Sequence, residues 1–249
     1  MDTENTSASH PTPTGATTVA LVTGATRGIG GETARRLAAL GWTVWLGARD
    51  LAVGRTVAAE LGGDVRALSL DVTRDDSVAD AATTVAAESG RLDVLVNNAG
   101  ISGELVAPPE TLPDHFLDVF GVNVLGPVRT THTFLPLLRA ADQPRVVMVS
   151  SGLGSFARTT DPGTVESQFA SITYPASKAA LNMVTSQYAR SLPGFQVNAV
   201  DPGYTATDLN GHQGEQTVEE GARSVVRAAT LTADGPTGQF LDALGTVPW

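Results

Sequence analysis

A tyrosine and a lysine stand four residues apart in the segment TYPASKAAL, residues 173–181. Helical positions i and i+4 lie one above the other, so Tyr174 and Lys178 can reach the same small volume. A phenol beside an ammonium can act as an acid, because the positive charge lowers the phenol pKa from its usual value of about 10. The same spacing also occurs in an ordinary exposed pair whose lysine stem packs on the ring. The rest of the chain must decide between these interpretations.

A glycine-rich stretch, TGATRGIG at residues 23–30, could hold phosphate groups. Gly24, Gly28 and Gly30 permit a tight turn and let phosphates approach the amides at the positive end of a following helix. The order Gly-x-x-x-Gly-x-Gly differs from the common dinucleotide pattern Gly-x-Gly-x-x-Gly, although the mechanics are similar. A glycine-rich turn without a ligand is the alternative. Because the stretch follows the first strand of a long α/β alternation, we favour dinucleotide binding.

The end of the second predicted strand bears on which dinucleotide would bind. In such folds an acid about 20 residues beyond the loop bonds the ribose 2′-hydroxyl of NAD, whereas an arginine accommodates the 2′-phosphate of NADP. Ala48 and Arg49 occupy that place here, and Arg27 in the glycine loop could reach the same phosphate. These residues favour NADPH. Asp50 at the ribose would instead favour NADH, with both arginines in solvent.

Short apolar runs alternate with longer segments of helical periodicity along the chain. The runs are almost continuously apolar, which is typical of strands covered on both faces in a parallel sheet. This order predicts an α/β fold, a Rossmann-type doubly wound sheet of about seven parallel strands with helices on both faces. In such folds ligands bind at the carboxyl ends of the strands. We expect strands at 18–24, 43–49, 65–72, 92–100, 145–151, 195–200 and 238–244, and helices at 29–40, 51–61, 75–88, 114–138, 171–192 and 218–231.

The composition limits the classes of function. The chain has 249 residues, of which 42% are hydrophobic and 17% are charged, as in a soluble globular protein. Its formal net charge of −10 disfavours general binding to nucleic acid or to anionic membranes. The chain contains no cysteine, and its four histidines lack ligand spacing, so we expect no metal site.

The first residues differ in composition from the rest. Residues 1–16 are polar and rich in Thr, Ser and Pro, which predicts a disordered tail and not a signal peptide. Residues 17–249 are then expected to form a single dinucleotide-binding and catalytic domain. No apolar run approaches the length of a membrane span, so we expect a cytoplasmic protein with no membrane partner.

Several motifs occur together in a fixed order. They are TGATRGIG (23–30), NNAG (97–100), NV before a glycine (123–126), SS (150–151), YPASK (174–178) and PG (202–203). With these motifs the sequence resembles the short-chain dehydrogenase/reductase family over nearly everything after the tail. Within that family, the stretches ARDLAVGRTVAAEL, PGYTATDL and TVEEGARSVV and the ending GPTGQF…W are similar to the carbonyl reductase group, whose members reduce ketones and aldehydes with NADPH.

The resemblance implies a catalytic tetrad of Asn123, Ser151, Tyr174 and Lys178. Tyr174 would be the acid that protonates the alkoxide formed when a hydride reaches a carbonyl carbon. Lys178 would lower the Tyr174 pKa and bind the nicotinamide ribose, and Ser151 would hold the substrate oxygen. Ser151 is preferred over Ser150 because the family serine is usually the second of this pair. Asn123 would fix a water that links Lys178 to solvent.

The resemblance also implies a set of cofactor contacts. Beyond the glycine loop, the end of the third strand would lie beside the adenine, and the NNAG segment would pass the ribose. The Pro-Gly pair would turn the chain below the nicotinamide, with two threonines placed for its carboxamide and for the phosphates. The expected contacts to NADPH are Gly24, Thr26, Arg27, Gly28, Ile29, Gly30, Arg49, Asp71, Val72, Asn98, Ala99, Gly100, Tyr174, Lys178, Pro202, Gly203, Thr205 and Thr207.

The leading functional hypothesis from the resemblance is reversible, NADPH-dependent reduction of a ketone or aldehyde. The predicted substrate wall comprises residues 102–106, 153–156 and 204–214 with Trp249, and it carries no basic cluster for a phosphorylated substrate. A neutral carbonyl compound of small to medium size fits best. Two alternatives stay open, namely a pathway-specific ketoreductase or enone reductase, and a non-catalytic NADP-binding regulator on the same fold.

The connection at residues 152–173 is longer than in most family members. It could form part of the substrate mouth, alter a subunit interface, or be a solvent-exposed excursion, because loops tolerate insertion well. Because tetramers are common in the family, the resemblance implies a possible homo-oligomer. A longer connection at this place could alter the interface between the subunits of such a tetramer.

Overall fold

The computed structural model describes residues 17–249, and the predicted tail at 1–16 lies outside them. The strands are β1 Val19–Val22, β2 Thr43–Ala48, β3 Asp64–Ser69, β4 Val94–Asn97, β5 Arg145–Val149, β6 Gln196–Val200 and β7 Phe240–Leu241. They form one sheet in the order β3-β2-β1-β4-β5-β6-β7, and every neighbouring pair is parallel. The predicted Rossmann-type parallel sheet is therefore confirmed.

Helices cover both faces of this sheet. They are α1 Gly28–Ala39, α2 Leu51–Leu61, α3 Asp75–Ser89, α4 His115–Phe120, α5 Gly126–Arg139, α6 Phe156–Thr159, α7 Thr173–Ser191 and α8 Val218–Ala229. Within residues 17–249, no helix combines the length and the apolar character that a membrane crossing requires.

The core consists of two apolar layers, one on each face of the sheet. Alternate residues of a strand point to opposite faces, so Leu21 joins one layer and Val22 joins the other. Both residues are fully buried, as the almost continuous apolar character of the strands predicts. The first layer packs against α5 and α7 through Phe134 and Leu181, and the second packs against α1 and α8 through Leu37 and Val225.

The strand order reverses beside β1, which has β2 on one side and β4 on the other. At such a reversal the connections leave in opposite directions, and a crevice opens at the carboxyl ends of the strands. The glycine loop at 23–30 and residues 98–100 leave β1 and β4 on the two sides of this crevice. The fold therefore puts the predicted phosphate loop at the place where such sheets bind ligands.

The long helix expected at residues 114–138 is interrupted. It consists of α4, a π-helical turn at Gly121–Leu125, and α5. Pro127 has no N–H and therefore cannot donate to the carbonyl of Asn123 four residues before it. Gly126 allows close approach to the end of β3, because a Cβ there would lie 2.9 Å from Cγ2 of Val72. The interruption places Asn123 in the wider turn, a form that is frequent at functional sites.

Six of the seven strands end earlier than expected, and β3, β4 and β7 do so by three residues each. β3 ends at Ser69 and not at residue 72, because the Asp71 carboxylate accepts hydrogen bonds from the backbone and hydroxyl of Thr73 at 2.9 and 2.7 Å. Such an Asx turn directs the chain out of the sheet. β4 ends at Asn97, and the next amide, that of Asn98, donates to Oγ1 of Thr23 at 3.0 Å.

The connection at 152–173 is bound to the rest of the molecule at its base, whereas residues 160–163, 165 and 168–170 are exposed. It contains two 3-10 turns, Gly152–Gly154 and Glu166–Gln168, and the short α6. The Ser155 hydroxyl donates to the carbonyl of Pro248 at 2.7 Å, and the amide of Ala157 donates to the carbonyl of Trp249 at 3.2 Å. The base of the connection is therefore bound to the C-terminal residues.

Candidate active site

The segments that carry the predicted functional residues converge on the carboxyl edge of the sheet. The glycine loop at 23–30 follows β1, and residues 98–100 follow β4. Residues 150–151 follow β5, and residues 201–203 follow β6. Helix α7 begins one residue before Tyr174, so its first turn faces the same edge.

Tyr174 and Lys178 meet in one small volume, as their spacing predicts. Nζ of Lys178 lies 5.5 Å from the centroid of the Tyr174 ring. Lys178 is only 4% exposed, and its ammonium donates to the carbonyl oxygen of Val149 at 2.8 Å. The alternative of an exposed lysine packed on a tyrosine is excluded, because this lysine is buried at the end of β5.

The electrostatics of Tyr174 differ from the expectation. Burial raises the pKa of the Tyr174 phenol to about 12, the charge of Asp201 adds to this rise, and a hydrogen bond with Ser151 opposes it. The expected lowering of this pKa by Lys178 is therefore wrong for this structure, because loss of solvent around a phenolate is the larger effect. At neutral pH the phenol is protonated, which is the form that can donate a proton.

Lys178 is shifted in the opposite direction. Burial lowers the pKa of its ammonium to about 8, although the nearby charge of Asp201 opposes the shift. Removal from water disfavours the charged form of both side chains, which raises the pKa of an acid and lowers that of a base. Near neutral pH the pair is therefore a neutral phenol beside an ammonium.

The two serines after β5 have different surroundings. Ser150 is 2% exposed, and its hydroxyl donates to Oδ1 of Asn182 at 2.6 Å. Ser151 is half-buried, its Oγ accepts from the amide of Leu153 at 3.2 Å, and it lies near enough to the Tyr174 phenol to oppose the rise in that phenol's pKa. Only the second serine of the pair thus has its hydroxyl beside the phenol.

Asn123 reaches the same volume from the π-helical turn. Its amide group forms a reciprocal pair with Ile101, accepting from the backbone N–H and donating to the carbonyl, both at 2.9 Å. It also donates to Oγ of Ser177 at 3.0 Å. A Cβ on Gly100 would lie 3.4 Å from Oδ1 of Asn123 and 3.6 Å from Nζ of Lys178, so the bare glycine faces both side chains.

The glycine loop is supported by residues of the NNAG segment. The side-chain amide of Asn98 donates to the carbonyls of Thr23 and Gly24 at 2.9 and 3.1 Å. In return, Oγ1 of Thr23 accepts from the amide of Ala99 at 2.9 Å. Gly24 and Gly28 have φ of +62° and +56°, values that favour glycine. Asn98 and Ala99, expected as cofactor contacts, are therefore also the residues that shape the loop.

The region predicted for the adenine ribose contains three charged side chains. The Asp50 carboxylate accepts hydrogen bonds from the first amides of α2, that of Ala52 at 2.8 Å and that of Val53 at 3.3 Å. The Asp50 carboxylate therefore caps the N-terminus of α2. Burial opposes ionisation of Asp71, but hydrogen bonds from Thr73 and the charge of Arg49 lower its pKa. Arg49 therefore lies near the end of β3, where the adenine end of the cofactor is expected.

Arg27, the second predicted cation for the phosphate, has a different partner. Its guanidinium forms an ion pair with Asp208 at 2.9 Å, and both side chains are well exposed. This pair joins the glycine loop to the segment that follows β6.

Several other expected contacts lie around the crevice. Thr26 and Ile29 are half-buried in the glycine loop, and Ile29 also packs on the apolar layer beside α1. Val72 is 7% exposed, and its carbonyl oxygen accepts from Nη1 of Arg129 at 2.6 Å. Val72 is thus positioned mainly by contacts with α5.

The segment after β6 contains a turn that holds one of the two expected threonines on its inner side. Gly203 has φ of +74°, which produces the predicted turn after Pro202. Thr205 is 4% exposed, and its hydroxyl donates to the carbonyls of Pro202 and Gly203 at 3.2 and 3.3 Å, so it supports the turn from inside. The methyl group of Thr207 faces the glycine loop, 3.6 Å from where a Cβ on Gly28 would lie.

An ion cluster beside the site was not predicted from the sequence. The carboxylate of Asp201, at the end of β6, is paired with Arg158 of α6 at 2.8 Å. Arg158 also contacts Glu166 at 3.3 Å and Asp242 at 2.8 Å. One sequence signal could have drawn attention to it, since Asp201 is an acid that directly follows a buried apolar strand and precedes the Pro-Gly pair. The spacing of the other three residues has no such pattern.

The histidines of the described region do not form a cluster. His115 lies 3.8 Å from Glu104, and His212 lies 2.7 Å from Asp208 in a different loop. Among residues 17–249, no group of three or more His, Asp or Glu side chains is placed to hold a metal ion.

A parallel sheet with a glycine loop at its switch point defines the class of a dinucleotide-binding α/β protein. A family model described as short chain dehydrogenase matches residues 18–218. The chain belongs to the short-chain dehydrogenase family. Membership makes it an oxidoreductase of a family that uses NAD(P), as the resemblance implies.

Individual relatives agree with this assignment. Short-chain dehydrogenase anuI of Penicillium roqueforti (strain FM164) is 37% identical over 221 residues, which cover 84% of this chain and 87% of that protein. A (+)-neomenthol dehydrogenase of Arabidopsis thaliana is 34% identical over 280 residues, which cover 89% and 94%. The structure of NADPH-bound carbonyl reductase from chicken fatty liver aligns with a TM-score of 0.83 at 26% identity, and covers 94% of this chain and 99% of that one.

The residues at the carboxyl edge fit a nicotinamide dinucleotide. The glycine loop opens at the N-terminus of α1, where amides and the helix dipole favour phosphate. Within the described residues the Lys178 ammonium donates one hydrogen bond, to Val149, although it carries three N–H groups. A buried ammonium with two further donors beside the bare Gly100 is suited to hold ribose hydroxyl groups.

Proposed function

We propose that this protein catalyses the NADPH-dependent reduction of a ketone or aldehyde to an alcohol, and the reverse oxidation. In this proposal residues 17–249 form a single unit that binds the cofactor and performs the chemistry. The observation that carries the proposal is the meeting of a protonated Tyr174, Ser151 and the buried Lys178 beside Gly100, whose neighbour Ala99 packs on the glycine loop. A proton donor, a hydrogen-bonding hydroxyl and a fixed cation are what a carbonyl needs when it receives a hydride.

NADPH supplies the hydride when it is bound. The Ser151 hydroxyl holds the carbonyl oxygen, and the Tyr174 phenol donates its proton to the alkoxide as that charge develops. The Lys178 ammonium stabilises the phenolate that remains, because its Nζ lies over the ring. Asn123 holds the Gly100–Ile101 segment beside Lys178, and a water placed there would return a proton from solvent.

The choice of NADPH over NADH rests on the residues after β2. Arg49 supplies positive charge near the predicted ribose, as its effect on Asp71 indicates. Asp50, the acid that would favour NADH, has a carboxylate oxygen taken up by two amides of α2. The carbonyl reductase from chicken fatty liver was solved with NADPH bound, which agrees with this choice.

The substrate side favours an apolar, uncharged carbonyl compound. Leu105, Phe156 and Tyr204 lie in the predicted substrate wall and are 66%, 72% and 52% exposed. Exposed large apolar side chains near a site are typical of surfaces that bind apolar ligands. The dehydrogenase from Arabidopsis thaliana, which is named for (+)-neomenthol, agrees with an alcohol and ketone of this kind.

The test measures absorbance of the reduced nicotinamide while purified protein meets a panel of ketones and aldehydes, with NADPH and NADH in parallel. We expect oxidation of NADPH in preference to NADH by at least one apolar carbonyl compound. Tight NADPH binding without turnover by any compound would favour the non-catalytic regulator. Consumption of NADPH only by compounds with a conjugated carbon–carbon double bond would favour an enone reductase. A cytoplasmic location and a homo-oligomer stay predictions from the sequence.

A further inference from the structure

The ion cluster on the connection at 152–173 has no assigned role. Arg158 lies on α6 within that connection, and its Nη1 contacts Oδ2 of Asp201 at 2.8 Å and Oε1 of Glu166 at 3.3 Å. Its Nη2 contacts Oδ2 of Asp242 at 2.8 Å. The four side chains are between 6% and 24% exposed, so water screens them poorly. One guanidinium thus joins the connection to the ends of β6 and β7.

Such a cluster is not a general source of stability. Removing charges from water costs several kcal/mol per ion, and the mutual attraction of the ions often does no more than offset this cost. Here one guanidinium contacts three carboxylates, and the only other cation of the described residues that the site shows acting on them is the Lys178 ammonium, which senses the charge of Asp201. Burial raises the pKa of Asp201, although the amide of Gly203 and the charge of Arg158 oppose this rise. An arrangement of this kind calls for an explanation other than stability, such as fixing a particular geometry.

The geometry that Asp201 fixes is that of the turn below the predicted nicotinamide. While Oδ2 contacts Arg158, Oδ1 accepts from the amide of Gly203 at 2.9 Å. The turn at Gly152 also lies against this carboxylate, because a Cβ on Gly152 would lie 3.0 Å from Oδ2 of Asp201. Arg158 therefore sets the position of a carboxylate that contacts two separate backbone segments.

The turn at Gly152–Gly154, the second of these segments, packs against Lys178. A Cβ on Gly152 would lie 3.1 Å from Nη1 of Arg158, so this turn is directly at the cluster. A Cβ on Gly154 would lie only 2.7 Å from the backbone carbon of Lys178. The cluster thus contacts both the turn after β6 and the segment that covers Lys178.

We propose that Arg158 is a positioning residue for the cofactor site: through Asp201 it holds the Pro202–Gly203 turn where the nicotinamide binds. This inference rests on the proposed function, since it assumes that the cofactor lies at this turn. It assigns the connection at 152–173 a role in cofactor binding besides any role in the substrate mouth. Arg158 itself contacts neither substrate nor cofactor in this proposal.

The test compares NADPH binding, kcat and the two KM values of the wild type with those of Arg158→Met. NADPH affinity is followed by the fluorescence of the bound reduced nicotinamide. Loss of a hydrogen bond to a charged group has effects of tenfold or more, so we expect the Kd and KM for NADPH to rise about tenfold. The KM for the carbonyl substrate should change less. Arg145→Met is the matched control, because Arg145 is also a half-buried arginine. Arg145 lies at the amino end of β5, away from the cofactor site, and donates to the carbonyls of Ala229 and Leu231.

A double variant separates positioning from folding. In Arg158→Met with Asp201→Asn, the asparagine oxygen can still accept from the Gly203 amide, and residue 201 no longer carries a charge without a partner. Glu166 and Asp242 still lose their contacts with Arg158. We expect NADPH affinity to recover to within about threefold of the wild type, although the thermal stability stays reduced. Recovery supports the route through Asp201. Normal thermal stability of the double variant with no recovery of affinity would overturn that route.

The remaining outcomes are equally decisive. NADPH binding and turnover by Arg158→Met that match the wild type would overturn this inference and leave the proposed function intact. If the wild type binds neither NADPH nor NADH, the proposed function and this inference fall together. If Arg158→Met does not fold, Arg158→Lys replaces it, because an ammonium keeps the charge but lacks the fork that reaches Asp201 and Asp242 together. An unchanged Kd for NADPH in that variant would overturn the inference.

Discussion

The strongest prediction concerns the phenolic oxygen of Tyr174, which Tyr174→Phe removes. The phenylalanine ring keeps the contact with Lys178, whose Nζ lies 5.5 Å from the ring centroid. What is lost is the interaction of the phenol with Ser151, which contributes at most about 1 kcal/mol to stability. The variant also removes a buried polar group, which offsets part of that loss. We therefore expect the fold and the cofactor site to be retained.

The effect on the reaction should be much larger than the effect on stability. The Tyr174 pKa of about 12 means that the wild-type phenol holds its proton at neutral pH and can deliver it to an alkoxide. General acid catalysis by a positioned group contributes on the order of a hundredfold to ten-thousandfold. A loss of about a thousandfold in kcat corresponds to about 4 kcal/mol of transition-state stabilisation. The Kd for NADPH should stay unchanged, since the ring and Lys178 are retained.

The assay measures initial rates of NADPH oxidation and, separately, NADPH binding by fluorescence. Tyr188→Phe is the matched control, because Tyr188 is a half-buried tyrosine on the same helix whose hydroxyl donates to the carbonyl of Val128 at 3.5 Å, away from Lys178. That control should keep the wild-type kcat. If Tyr174→Phe retains more than about a tenth of the wild-type kcat, the assignment of Tyr174 as the proton donor is refuted.

Other predictions concern the cofactor and the loop. Arg49→Asp should shift the ratio of kcat/KM values from NADPH toward NADH by about tenfold or more, because a charge-assisted contact to the 2′-phosphate is replaced by repulsion. The control Arg55→Asp, on the exposed side of α2, should leave that ratio unchanged. If the wild type and both variants have equal ratios, the phosphate binds elsewhere. The Lys178 pKa is lowered to about 8, so the ammonium loses its charge as pH rises through that value. We therefore expect kcat/KM for NADPH to fall above about pH 8. A kcat/KM that stays constant up to about pH 10 would contradict this role of the Lys178 charge. Gly30→Ala should weaken NADPH binding and destabilise the fold by about 1–3 kcal/mol, because its Cβ would lie 2.4 Å from Nδ2 of Asn98. Gly121→Ala is the control, because no atom lies within 4 Å of its added Cβ, and it should change neither NADPH binding nor stability. Melting temperatures and NADPH titrations of both glycine variants check this.

Patterns that depend on near neighbours in the chain were readable from the sequence. The alternation of apolar runs and helical segments predicts the parallel sheet, because each element buries its own periodic face. The spacing of Tyr174 and Lys178 predicts their meeting, because both residues lie on one helix. The family resemblance is likewise confirmed, because its motifs are short and local.

Features that depend on burial by distant residues were not readable. The Tyr174 pKa was expected to fall because only its helical neighbour is visible in the sequence, whereas the surroundings that bury the phenol come from other elements. The direction of the Thr205 hydroxyl depends on the turn at Pro202 and Gly203. Arg158 meets Asp201 across 43 residues of chain, without any periodicity that connects them.

The bracing of the glycine loop by Asn98 has a consequence for how the protein acquires its binding site. Asn98 and Thr23 are 75 residues apart in the chain, and their hydrogen bonds form only after β4 has paired with β1. Contacts between residues so far apart in the chain slow the folding of a domain. During synthesis, the first strand and the loop after it leave the ribosome well before the segment that shapes them. A chain halted before residue 97 would therefore contain the whole glycine motif without the residues that hold it in shape.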